Sequence, residues 1–203
     1  MQMQTDRRKG QPAQIALTFD DGPDPVWTRR VLAALGRADA TATFFVCAPA
    51  AARHPDVIEE ITGAGHEVGF HCLEHIRHSE STRERIDAET ATGLEQLARL
   101  GVTPELWRTP WGDTAPWTRE LARDLGLRLC GWTDDTHDWR GDSAASMLAK
   151  LRGDIAPGSV VLMHDGIGPG ARRTDCAPTA DLVESLADLA AARDLAITRL
   201  GDM

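Results

Sequence analysis

Two aspartates, Asp20 and Asp21, stand side by side where the apolar run "IALTF" (15–19) ends, and Gly22, Pro23 and Pro25 follow at once. Adjacent carboxylates repel, so the plain alternative is a solvated turn in which Asp24 caps the next helix. The chemical reading divides them: one carboxylate holds a metal ion while the other stays free to move a proton. The segment "HCLEH" (71–75) offers companions in His71 and His75. Two imidazoles at i, i+4 on a helical turn share one face and can reach one ion. The pattern H-x-x-x-H alone is a weak signal. Joined by a carboxylate from another strand end it becomes a two-His, one-Asp set with open positions, suited to Zn²⁺, Co²⁺ or Fe²⁺.

Such groups need a scaffold that brings them together. Apolar or β-branched runs recur at 15–19, 41–46, 66–71, 106–109, 127–132, 159–164 and 196–200, seven expected strands. Helical patterns lie between them at 26–36, 54–65, from Ile86 to a stop at Gly101, at 118–126 and at 179–193. Alternating strands and helices predict an α/β fold of parallel strands with right-handed crossovers, either an open doubly wound sheet or a barrel. Periodicity does not choose between the two. In both, strand C-terminal ends share one face, where catalytic groups gather. Asp20, Asp21, His71, Arg108, His164 and Asp165 all fall at such ends.

Composition narrows the rest. A chain of 203 residues with 42% hydrophobic content is expected to form one domain with a real core. A net charge of −9 argues against nucleic acid or an anionic membrane as partner. No run approaches the roughly 18 apolar residues of a membrane helix. Cys47, Cys72, Cys130 and Cys176 lack C-x-x-C spacing and are read as small buried residues in a reducing compartment. The polar start, residues 1–14, has no apolar h-region, so the chain as written is expected in the cytoplasm. A chain trimmed of an export signal would look the same, and would then be secreted.

Five segments in order, "TFDDG" (18–22), "HCLEH" (71–75), "RTPWG" (108–112), "DTHDW" (135–139) and "VLMHDG" (161–166), resemble the polysaccharide deacetylases, the NodB-homology domain or carbohydrate esterase family 4. The resemblance implies a distorted (β/α)7 barrel over residues 15–203, with 1–14 as an extension. It implies Asp20 as catalytic base and Asp21, His71 and His75 as ligands of one divalent ion, zinc first and cobalt among the alternatives. Arg108 matches the arginine that pairs with the base, His164 the general acid, and Asp138 the aspartate that tunes it. Trp111 matches the position whose backbone N–H helps hold the oxyanion; Trp139 and Leu162 match walls of the acetyl pocket. In the second segment Cys72, Ile76 and Phe70 replace a hydroxyl residue, a proline and a frequent asparagine. Those departures bear on the surroundings of the ligands, not on the ligands themselves.

The implied activity is removal of acetyl groups from N-acetylated, or alternatively O-acetylated, sugars. An amidohydrolase acting on a small-molecule amide, and a non-catalytic carbohydrate-binding relic, are the competing readings. His66 is expected to be structural and His78 an exposed loop residue, while His137 is a candidate for touching substrate. The chain has no tyrosine, so sugar stacking falls to tryptophan. Trp107 and Trp132 are expected to be core residues.

Overall fold

The computed structural model describes residues 13–203. Most of the polar extension at 1–14 therefore lies outside the described residues. Eight strands occur in chain order: β1 Ala13–Asp20, β2 Thr43–Cys47, β3 Glu67–Cys72, β4 Leu106–Trp107, β5 Arg128–Leu129, β6 Asp134–Asp135, β7 Val160–His164 and β8 Leu195–Thr198. Seven α-helices run among them: α1 Trp27–Arg37, α2 Ala48–Arg53, α3 Pro55–Gly63, α4 Arg83–Ala98, α5 Thr118–Asp124, α6 Ala144–Leu151 and α7 Ala177–Ala191. All pairings are parallel, in the order β5-β4-β3-β2-β1-β7-β6, and β8 pairs with the first half of β1.

This order forces the sheet to curl. Laid flat, seven strands would put β5 and β6 about 29 Å apart, six spacings of about 4.8 Å. Yet only residues 130–133 join them, a reach of at most about 19 Å. The edges must approach, and the result is a distorted (β/α)7 barrel open between β5 and β6.

Alternation along β1 explains which groups reach the interior. Ile15, Leu17 and Phe19 pack in the main core with Val31 and Leu35 of α1 and with Leu182, Val183 and Leu186 of α7. Ala16 instead joins Phe45 and Leu106 in a second cluster. Thr18 and Asp20, in step with Ala16, meet the Arg108 guanidinium. Every residue of β1 from Ile15 to Asp20 is buried, as expected for a central parallel strand covered on both faces.

Four elements differ from the sequence expectation. β6 consists of two aspartates and carries no apolar signal, and the run expected at 127–132 shrinks to the two residues of β5. The helices α2 and α6 were also not expected. Asp24 Oδ1 accepts the N–H groups of Val26 and Trp27, both at 2.8 Å, in the turn that leads into α1.

Candidate active site

Asp20 is the last residue of β1 in register, opposite His164 of β7. Its Oδ1 accepts from Arg108 Nη1 at 2.9 Å. Arg108, fully buried, also donates to Thr18 Oγ1 at 2.7 Å and through Nη2 to the Gly131 carbonyl at 2.8 Å. One guanidinium thus ties β1 to the 130–133 connection across the open seam. A charge-assisted bond of this kind fixes the carboxylate in place.

Asp21 breaks the alternation. Its φ of 72° places it in the left-handed region, which turns its side chain away from Asp20's neighbours. Oδ1 lies 3.4 Å from His71 Nε2 and 3.3 Å from His75 Nε2. His71 sits at the end of β3 and its Nδ1 faces the Arg108 carbonyl at 2.8 Å, which leaves Nε2 for the site. The two histidines are not on a helical turn: His71 belongs to the strand and His75 to the loop after it, the correction being that loop geometry supplies the convergence.

Do these three residues fit an ion? Their ligating atoms lie within 4.8 Å of one another. A tetrahedral ion with bonds of about 2.1 Å requires ligand edges of about 3.4 Å, close to the two separations above. Asp21 Oδ1 is buried without any hydrogen-bond partner. Electrostatics agree. Burial opposes ionisation of Asp21, but the imidazoles of His71 and His75 close beside it outweigh that and hold the carboxyl well below its usual range. Burial likewise opposes charging His71, but Asp20 and Asp21 raise it to about 9. The pocket attracts positive charge.

His164, at the end of β7, faces Asp138 with Nδ1 at 2.7 Å from Oδ1, and its own N–H donates to Oδ2 at 2.9 Å. Burial disfavours the imidazolium, but the Asp138 hydrogen bond and charge raise His164 to about 8. Asp138 also accepts from Arg173 Nη1 and Thr179 Oγ1, each at 2.7 Å. Burial pushes Asp138 up, but these partners prevail and bring it down to about 2.

Asp20, Asp21, His71, His75, Trp111, Trp139, Leu162 and His164 all line one pocket, with Arg108 and Asp138 directly behind it. Trp111 has φ 54° and is well exposed at the rim, its ring edge-on to His75 and covered on one side by Arg77. Trp132 corrects an expectation: it lines the pocket instead of the core, packed against Gly112. Trp107 is a core residue as expected. His78 corrects another. It is buried between Trp107 and Trp117 and faces Thr118 Oγ1 at 3.1 Å. His66 is structural, its Nδ1 accepting from the Ala42 N–H. His137 stacks behind Trp139 and faces the Asp135 carbonyl, outside the pocket lining.

The departures in the second segment have packing reasons. Phe70 fills the core beside Trp107 and Gly93, and Ile76 packs on its edge. Cys72 is buried against Cys47.

Sequence reasoning missed the wall at 166–173, "GIGPGARR". Gly166, Gly168, Pro169, Gly170, Ala171 and Arg173 line the pocket. A Cβ on Gly168 would collide with Asp21 Oδ2, and one on Gly166 with the Asp21 carbonyl, so both glycines form the bed of that residue. Nothing in the spacing marks Arg173, which follows His164 by nine residues through an irregular loop.

Comparison with known proteins gives a consistent set. The family described as "Polysaccharide deacetylase" matches residues 7–130. A peptidoglycan-N-acetylglucosamine deacetylase of Bacillus cereus is 32% identical over 154 residues, covering 75% of this chain and 72% of its own. A chitooligosaccharide deacetylase of a Bradyrhizobium species is 32% identical over 165 residues, covering 79% and 74%. A solved family 4 carbohydrate esterase from Streptomyces lividans, in complex with acetate, superposes with a TM-score of 0.82 at 28% identity and covers 91% of each chain.

Proposed function

The chain belongs to the polysaccharide deacetylase family, and on that premise we propose that it hydrolyses the acetamide of N-acetylated sugars with the help of one divalent ion, zinc before cobalt. The observation that carries this reading is that Asp20, Asp21 and His164 open on one pocket while each is held from behind by a different partner: Arg108, the histidine pair and Asp138. A relic would be expected to have lost the base or the acid; both are present.

Asp21, His71 and His75 would hold the ion, which when bound supplies Lewis acidity to the acyl oxygen and makes water a better acid. Asp20 takes the proton from the attacking water. Arg108 fixes the carboxylate for that transfer by donating to its Oδ1. His164 enters as the imidazolium that Asp138 favours and delivers a proton to the departing nitrogen. The C–N bond breaks, a C–O bond forms, and acetate and a free amine leave. The Trp111 backbone N–H would share the oxyanion, and Trp139 and Leu162 would wall the acetyl methyl. Trp111 and Trp132 give flat apolar faces to a sugar ring on the open side.

The test is acetate release from zinc-loaded protein offered chito-oligosaccharides, peptidoglycan fragments, acetylated xylan and N-acetylated small molecules. Release from the N-acetylated sugars is expected. Release from none of them, or only from xylan esters or small amides, would contradict the reading.

A further inference from the structure

Cys47 and Cys72 lie 25 residues apart in sequence, yet their sulfurs are 3.5 Å apart. Each is the last residue of its strand, and the two are register partners in the parallel pair β2–β3, across an irregularity at Val46 and Cys47. Neighbouring strands are about 4.8 Å apart, inside the roughly 4.4–6.8 Å Cα separation that a disulfide spans. The other two cysteines have different partners: Cys130 Sγ faces the Arg128 carbonyl and Cys176 Sγ the Gly166 carbonyl.

We propose that Cys47 and Cys72 are a thiol-oxidation site, a dithiol that a peroxide closes to a disulfide, weakening the grip of Asp21 and His71 on the metal. Cys47 is mostly buried but keeps some exposure, whereas Cys72 is buried, so Cys47 meets the oxidant first. Its sulfur attacks one peroxide oxygen, the O–O bond breaks, and a sulfenic acid and one water result. The Cys72 sulfur then displaces the hydroxyl as a second water and forms the S–S bond. Two thiols lose two electrons and two protons, and the peroxide is reduced to two waters.

The consequence follows from position. Cys72 directly follows His71, and the Cys47 N–H donates to the Gly22 carbonyl at 2.8 Å, next to Asp21. A disulfide bond of about 2.05 Å draws the sulfurs together by about 1.5 Å. Whichever sulfur moves carries a ligand-bearing segment with it. Disturbing such support costs about 10–100-fold in metal affinity. This coupling rests on the metal site proposed above; the disulfide itself does not.

The experiment treats the metal-free 203-residue chain with stoichiometric hydrogen peroxide. Thiols are counted after denaturation, the linkage is mapped by peptide mass, and zinc affinity is measured by competition with a chromophoric chelator. Free thiols should fall from the four of the sequence by one pair, with residues 47 and 72 in one linked peptide. Zinc should bind about 10–100-fold more weakly, and dithiothreitol should restore both. Cys47→Ser and Cys72→Ser should show neither change. Four surviving thiols, oxidation without linkage, or a bridge to Cys130 or Cys176 would overturn the site. A Cys47–Cys72 bridge with unchanged zinc affinity would overturn the coupling. Failure of the reduced protein to bind zinc would sink the metal reading and the coupling with it, leaving the thiol result to stand by itself.

Discussion

Asp20 and Asp21 share a peptide bond but not an environment: Asp20 Oδ1 takes Arg108 Nη1 at 2.9 Å, while Asp21 Oδ1 lies 3.3 and 3.4 Å from two imidazoles. Strand alternation points Asp20 into the barrel beside Thr18, and the left-handed turn at Asp21 sends the next carboxylate elsewhere. The repulsion expected of adjacent acids is relieved because each faces its own cation or cation site.

On the proposed mechanism, His164 sets the alkaline limit of activity. As the general acid it must be protonated, and with Asp138 beside it that holds below about pH 8. Turnover should therefore fall as pH rises through about 8. Asp138→Asn removes the nearest favourable charge and leaves burial opposed only by the charges of Asp20 and Asp21, so the limb should move down from about 8. A pH–rate profile of both proteins checks this; an unmoved limb would assign it to another group.

Gly168 makes room for the Asp21 carboxylate. Gly168→Ala puts a methyl group against Oδ2 and should weaken zinc binding by about tenfold or more, as other misplaced ligands do. In an Asp21→Ala background the collision is gone, and the same change should cost nothing further. Isothermal titration of the four proteins closes the cycle. Equal losses in both backgrounds would point to a general loop defect.

Arg173 is a buried cation whose removal leaves buried Asp138 with His164 as its remaining charged partner. It also holds the wall at 166–173 by donating to the His164 and Gly166 carbonyls. Arg173→Met should destabilise the fold by about 3–5 kcal/mol, read as a shift in the urea midpoint. A loss under 1 kcal/mol would show that the pair is hydrated and dispensable.

His78 makes folding sensitive to acid. Burial between two tryptophans lowers it to about 4, whereas in the unfolded chain it protonates near 6.5. The unfolded state takes up the proton first, so stability is complete above pH 6.5 and lost as pH falls towards 4. The loss is on the order of 3 kcal/mol at about 1.4 kcal/mol per pH unit. His66 is lowered by burial as well and contributes in the same direction. His78→Phe should lose less stability over that interval than the parent. Parallel urea curves at pH 7 and 4.5 for both proteins provide the comparison, and identical losses would remove His78 from the account.

What could be read beforehand follows from where the information lies. The segments around Asp20, His71, Arg108 and His164 sit at the ends of apolar strands, so type and spacing marked them. β6 could not be seen, because Asp134 and Asp135 are acids held in the sheet by pairing with Val161 and Leu162, not by an apolar pattern. The burial of His78 depends on Trp107 and Trp117, both about thirty or more positions away, and so on tertiary packing. The same holds for Cys47 against Cys72, which parallel register brings together. Arg173 reaches Asp138 through a loop whose path no periodicity describes. Trp132 lies outside the core because β5 stops at Leu129, three residues short of it.

The division of labour between Asp20 and Asp21 is the central claim, and zinc content measured together with acetate release on two variants tests it most directly. Asp20→Asn should keep zinc, because Asp21, His71 and His75 are intact, yet lose roughly 10²–10⁴-fold in kcat. Asp21→Ala should bind zinc about 10–100-fold more weakly or worse, and its activity should recover in part as zinc is raised. If Asp20→Asn loses the metal while Asp21→Ala retains it, the two roles are exchanged and the account is wrong.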